Sequence, residues 1–147
     1  MTKVALLGAS GNIGQVLRPV LLKQGLALRS AGGTRALTPV APEEEICHGD
    51  LRDPAFVDRL LAGVDALIHW QPAASSGRCR RLSKTTCDLH SIYQGAPCHR
   101  VRRIVFASSN HAVGMHSVVS KLDLDCDLWP DGFHGPTKVW GEAMARM

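Results

Sequence analysis

The sequence predicts an α/β chain built on a parallel sheet with crossover helices. Three observations carry that prediction. Short apolar runs of four or five residues alternate with segments whose apolar residues recur at helical spacing. The first run leads at once into a glycine-spaced turn and then a helix. No run approaches the ~20 apolar residues that span a bilayer.

The elements follow in order. Lys3–Leu7 is a short apolar run ending at Gly8, which suits a strand buried on both faces. After Gly8-Ala9-Ser10-Gly11-Asn12-Ile13-Gly14, the residues Ile13, Val16, Leu17, Val20 and Leu21 form a helical stripe that Gly25 ends. Pro19 inside it should kink or shorten the helix. Leu26-Ala27-Leu28 reads as a second strand, and residues 31–45 as a loop rich in Gly, Pro and Glu. Ile46-Cys47 leads into Gly49-Asp50-Leu51. Asp53 then caps a helix over Pro54–Leu61, with Pro54 in its first turn. Residues 65–69 form another short buried strand.

Residues 70–100 show no periodicity and are expected to be irregular; Cys79, Cys87, Cys98 and most of the arginines collect there. Order returns with a strand at Arg103-Ile104-Val105-Phe106-Ala107. The last segment, Gly135 to Met147, reads as a helix with Pro136 at its start and a stripe of Val139, Trp140, Ala143 and Met144. The whole is expected to be one domain over 1–147.

Composition narrows the function classes. With 45% apolar and 20% charged residues, the chain fits an ordinary globular domain. The net charge of +4 is local: residues 78–103 alone carry +6, and the rest sums to −2. That stretch has Tyr93 as its single aromatic residue, so it lacks the spread basic face and interleaved aromatics of nucleic-acid binders, and no such partner is expected. Met1-Thr2-Lys3 runs straight into the first strand, and no secretion signal is expected. The odd count of five cysteines then reads as reduced thiols, and a cytoplasmic location is expected.

The glycine turn is the main binding motif. A helix N-terminus offers unpaired N–H groups and the positive end of a dipole, which suit a pyrophosphate. Gly8, Gly11 and Gly14 let the backbone turn, approach the phosphate and pack helix on strand, with the Asn12 and Ile13 amides beside them. An ordinary tight turn that binds nothing is the competing reading. No acid ends the second strand to read a ribose, so NAD and NADP both remain open. Arg29 or Arg35 there is either a reader of a 2′-phosphate or a solvated loop residue. Asp50 and Leu51 are better placed for the adenine end.

Together, the glycine turn, Gly49-Asp50-Leu51, the strand end at Ser109 and the His134-x-x-x-Lys138 spacing make the chain resemble the extended short-chain dehydrogenase/reductase family of NAD-dependent epimerases, dehydratases and sugar dehydrogenases. Two stretches, residues 103–114 and Pro130-Asp131-Gly132-Phe133-His134-Gly135-Pro136-Thr137-Lys138, look like its uronate dehydrogenases. The resemblance implies a Rossmann-like fold and hydride transfer from a carbinol carbon to the nicotinamide of NAD or NADP. It implies a small-molecule substrate, a sugar acid oxidised at C1 to a lactone. Carried over, Ser109 matches the serine that holds the reacting hydroxyl. Lys138 matches the lysine that tunes the base and holds the ribose. Asn110 and His111 are candidates to hold the sugar acid.

Three departures accompany the resemblance. The family's tyrosine base is His134 here; a shorter imidazole either stands in as base or merely starts the helix. Residues 70–100 do not match the family's long helix, and the abrupt edges suggest a segment read out of frame. Cys79, Cys87, Cys98 and His99 lack the close pairing of zinc ligands, and Asp123, Asp125 and Asp127 lack the later Gly and Glu of a calcium loop, so no metal is expected. Last, the chain stops just after the Lys138 helix. A Rossmann-like sheet incomplete at its C-terminus is therefore expected, with an uncovered apolar edge that invites self-association.

Overall fold

The computed structural model describes residues 1–33, 35–70 and 79–147, the side chains of 79–84 excepted. Five strands form one parallel sheet: β1 (Lys3–Leu7), β2 (Ala27–Ala31), β3 (Glu44–Cys47), β4 (Ala66–His69) and β5 (Arg103–Phe106), in the order β3-β2-β1-β4-β5. Val4 pairs with Leu28 on one side and Ala66 on the other, and Ile68 pairs with Val105. The order reverses beside β1, and doubly wound sheets bind ligands outside the carboxyl ends of their strands at such a point.

The period of two along β1 explains how one strand serves both faces. Val4 and Leu6 bury into a cluster with Ala9 and Leu28, which Leu17, Leu21 and Leu22 of α1 (Asn12–Lys23) cover. Ala5 and Leu7 face the opposite cluster, filled by Phe56, Val57, Leu60 and Leu61 of α2 (Pro54–Leu61) and by Ile92. Leu60 and Leu61 have no exposed surface, and burial of each such side chain stabilises the fold by roughly 1.5–3 kcal/mol. α2 starts where its sequence says: the Asp53 carboxylate accepts from the Ala55 N–H, with Pro54 in the first turn.

Two sequence expectations need correction. The stripe expected on α1 is rotated: Ile13, Val16 and Val20 are exposed, while Gly14 and Arg18 are buried. A buried ion pair turns the helix this way, since Arg18 Nε donates to Glu44 Oε1 at 2.6 Å. The irregular structure expected over 70–100 is instead helical across α3 (Cys79–Cys98). Leu89, Ile92, Tyr93 and Ala96 form a buried stripe at helical spacing, short enough to be masked by the polar residues around it. Gly95 lies where a Cβ would come within 2.9 Å of Val57, so its missing side chain lets α3 sit against α2. The part of that expectation on 71–78 lies outside the described residues.

The chain divides into two compact units. The first, Met1–Pro72 with Cys87–Ala107, holds the sheet, α1 and α2. The second, Ala73–Thr86 with Ser108–Met147, holds a 3₁₀ turn over Asn110–Val113 and helix α4 (His134–Ala145). Val139, Trp140 and Met144 on α4 are half-buried. Within the second unit, the loop before α4 is tied by the Met115 N–H to the Trp129 carbonyl and by His116 Nε2 to the Asp127 carbonyl at 2.7 Å. Among the described residues, no helix is long and apolar enough to cross a membrane.

Candidate functional site

In the first unit, β1 ends at Gly8, whose φ of 79° lies in the left-handed region that favours glycine. The Gly11 N–H closes the turn onto the Gly8 carbonyl at 3.0 Å. A Cβ on Gly14 would stand 2.2 Å from that same oxygen and 2.7 Å from the Ala9 Cα, so a side chain there would force helix and strand apart. Gly11 is the N-cap residue of α1 and supplies no side-chain cap, and no acid stands in the first turn. The Asn12, Ile13 and Gly14 amides therefore begin a helix whose positive end is not neutralised by its own side chains. That arrangement fits a dinucleotide pyrophosphate. Ser10 braces the turn from outside by donating its hydroxyl to the Gly32 carbonyl at 2.8 Å.

The other first-unit candidates divide. Leu51 is buried in the core, so only its backbone is offered to a ligand. Asp50 accepts from the Arg52 backbone N–H and, at 2.5 Å, from its guanidinium, which holds the carboxylate at the head of α2. Arg29 is engaged with groups of the protein itself. Its guanidinium donates to the carbonyls of Arg59, Leu60 and Ala62 at 2.8–2.9 Å, and Nε donates to Glu45. It closes the C-terminus of α2, where a cation suits the helix dipole. Arg35 is exposed.

The second unit brings Ser109, Asn110, His111, His134 and Lys138 together. Ser109 is the N-cap of the 3₁₀ turn, and its Oγ accepts from the His111 N–H at 3.2 Å. His134 opens α4 and Lys138 follows four residues later on the same face. Lys138 is buried, and burial pulls its ammonium below the usual lysine range. Burial also pulls the His134 imidazole down, Lys138 and His111 reinforce the shift, and Asp131 opposes it. His134 Nδ1 is buried and, among the described residues, makes no hydrogen bond.

The sequence gives no role to three residues that the structure places here: Asp131, Ser108 and Glu142. Asp131 Oδ1 lies 2.6 Å from His111 Nδ1, and the two imidazoles of His111 and His134 meet edge to face at 5.4 Å. The Ser108 hydroxyl donates to the Glu142 carboxylate, tying the chain after β5 to α4. Asp131 stood inside a stretch already singled out, but its partner is 20 residues away and no local pattern reveals the pair. Gly114 makes room for it: a Cβ there would come 2.3 Å from the Asp131 carboxyl carbon. Among the described residues, no group of three His, Cys, Asp or Glu side chains is arranged to hold a metal.

Known proteins resemble this chain in sequence and in fold. A family model described as NAD(P)H-binding matches residues 8–142. Uronate dehydrogenase of Pseudomonas putida is 34% identical over 144 residues, which is 97% of this chain and 54% of that enzyme. The crystal structure of uronate dehydrogenase from Agrobacterium tumefaciens superposes with a TM-score of 0.92 at 34% identity, over 100% of this chain and 55% of that one. Glucuronic acid dehydrogenase from Chromohalobacter salexigens gives 0.91 at 27% identity, over 99% and 55%. The chain thus spans about half the length of the relatives it matches. With the glycine turn, the β3-β2-β1-β4-β5 sheet and a family match across most of its length, the chain belongs to the NAD(P)H-binding family, in the short-chain dehydrogenase/reductase group that its sequence resembles.

Proposed function

We propose that this chain is the cofactor-binding and hydroxyl-activating part of an NAD(P)-dependent oxidoreductase that oxidises a sugar acid, a uronate, at C1 to the lactone. The observation that carries this reading is the grouping of Ser109, His134 and Lys138 in one compact unit, with His134 and Lys138 on one helix face. Accepting the hydride released from C1 is the chemistry that a bound nicotinamide would supply. Gly8, Gly11, Asn12, Ile13 and Gly14 hold the pyrophosphate, Asp50 and Leu51 the adenine end, and Lys138 the nicotinamide ribose. Ser109 accepts or donates at the reacting hydroxyl, Asn110 and His111 grip the sugar acid, and His134 occupies the place of the family's tyrosine.

The first test is a thermal melt with and without NAD⁺ and NADP⁺, followed by uronate turnover at 340 nm. Binding to the folded state alone raises stability by ~2.7 kcal/mol at a hundredfold excess over Kd. A cooperative melt with that shift and measurable turnover supports the reading. A second reading, a dinucleotide binder without chemistry, is favoured by His134 itself, because it replaces the phenol that resembling enzymes use. A shift without turnover on any uronate selects it. His134→Tyr is expected to raise activity; unchanged turnover in a folded, cofactor-binding variant would show that His134 does not limit it.

A further inference from the structure

We propose that His111 and Asp131, not His134, form the proton acceptor of this site: a carboxylate–imidazole pair whose Nε2 takes the proton of the substrate hydroxyl. The inference rests on the dehydrogenase reading above and deepens it. Replacing tyrosine by histidine beside a lysine reverses the electrostatics. A lysine cation favours a phenolate, which is the working base when tyrosine stands there. An imidazole that takes a proton becomes a cation, and Lys138 four residues along the same helix then opposes it. His134 Nδ1 is also buried without a hydrogen-bonding partner among the described residues, so no hydrogen bond from that nitrogen orients the ring for proton transfer.

His111 has what His134 lacks. Its Nδ1 lies 2.6 Å from the Asp131 carboxylate, which accepts the Nδ1–H and so fixes that tautomer. The lone pair is left on Nε2, which makes no hydrogen bond among the described residues, and half of the side chain is exposed. The backbone holds the pair in register: the Asp131 N–H donates to the His111 carbonyl at 3.1 Å, and the His111 N–H donates to Ser109 Oγ, the group expected to hold the reacting hydroxyl. Gly114 keeps open the space that the Asp131 carboxylate fills. In the step, the substrate O–H proton passes to Nε2, the C1–H electron pair leaves as hydride to a nicotinamide cofactor, and the lactone carbonyl forms. The proton then passes from Nε2 to water.

Two measurements test this. In ¹⁵N-labelled protein, His111 is expected as the Nδ1–H tautomer, and Asp131→Asn is expected to abolish that preference. An Nε2–H tautomer in the native chain, or no change in the variant, overturns the pair. In turnover of a uronate with NAD⁺, Asp131→Asn is expected to lower kcat about a hundredfold with KM little changed. In the His134→Tyr background the same substitution is expected to cost only a small factor, because a phenol then takes the proton. An equal loss in both backgrounds, or a loss carried by KM, overturns the acceptor role. The expected tautomer in a native chain that turns over no uronate overturns the dehydrogenase reading and the acceptor role together, whereas turnover with the wrong tautomer overturns the pair alone.

Discussion

Removal of Glu44 tests whether the ion pair beneath α1 holds the sheet together. The Glu44 side chain has no exposed surface and that of Arg18 is 5% exposed. The carboxylate accepts from Arg18 Nε at 2.6 Å, from an Arg18 terminal nitrogen at 2.8 Å, from the Ser30 hydroxyl at 2.5 Å and from the Val40 N–H at 2.8 Å. Glu44→Ala strands a buried guanidinium, a buried hydroxyl and a backbone amide at once. Breaking a buried pair from one side costs about 3–5 kcal/mol, and the lower end, about 3 kcal/mol, applies because Arg18 keeps its bond to the Thr38 carbonyl. Small domains have only about 5–15 kcal/mol to lose. With a urea m-value of roughly 1.5 kcal/mol/M, the midpoint falls by about 2 M at unchanged m. The double variant Arg18→Met, Glu44→Leu removes both charges and is expected to recover most of that loss. A shift below about 0.5 M for Glu44→Ala, or a double variant worse than either single one, would refute the reasoning.

The remaining predictions are smaller in scope. Gly14→Ala is expected to abolish the NAD⁺-dependent thermal shift, because its Cβ meets only backbone atoms; a retained shift in calorimetry counts against the glycine turn as the site. Arg29→Ala is expected to lower stability by about 1–2 kcal/mol through the α2 carbonyls and to leave the ratio of NAD⁺ to NADP⁺ affinities unchanged. Melting midpoints across pH separate two groups by sign and window. His134 is lowered by burial, so the folded chain binds its proton less readily than the unfolded chain and loses stability as pH falls below about 6.5. For Glu44, burial raises the carboxyl, but the bonds from Arg18, Ser30 and Val40 outweigh it and lower it overall; its contribution is present above about pH 4.3 and is lost as pH falls further. His134→Gln is expected to flatten the first window and leave the second.

How much of this was legible depended on how local each determinant is. The β1 run, the glycine turn and the α2 start are written within a few consecutive residues, so Gly8, Asp53 and Pro54 were read in place. α3 was missed because its stripe of Leu89, Ile92, Tyr93 and Ala96 occupies only its later turns and is crossed by Gly95 and Pro97. Packing on α2, not propensity, holds that helix. The α1 face was misread because an arginine pairs inward with Glu44 on the third strand, a partner 26 residues away. The shared helix face of His134 and Lys138 is legible in their spacing of four. The Asp131 carboxylate is not legible, since only the fold brings it to His111.

Pro19 has one more consequence. It stands inside α1 without an amide hydrogen, so the Gln15 carbonyl lacks its partner one turn later. In hydrogen-exchange terms, α1 is then two short ladders in series rather than one. The turn that carries the Asn12 to Gly14 amides is expected to open without unzipping the Leu21–Lys23 end, which is packed on the sheet. Protection of the leading turn would then report occupancy of the glycine turn, and protection of the trailing turn would report global stability, two clocks read from one helix.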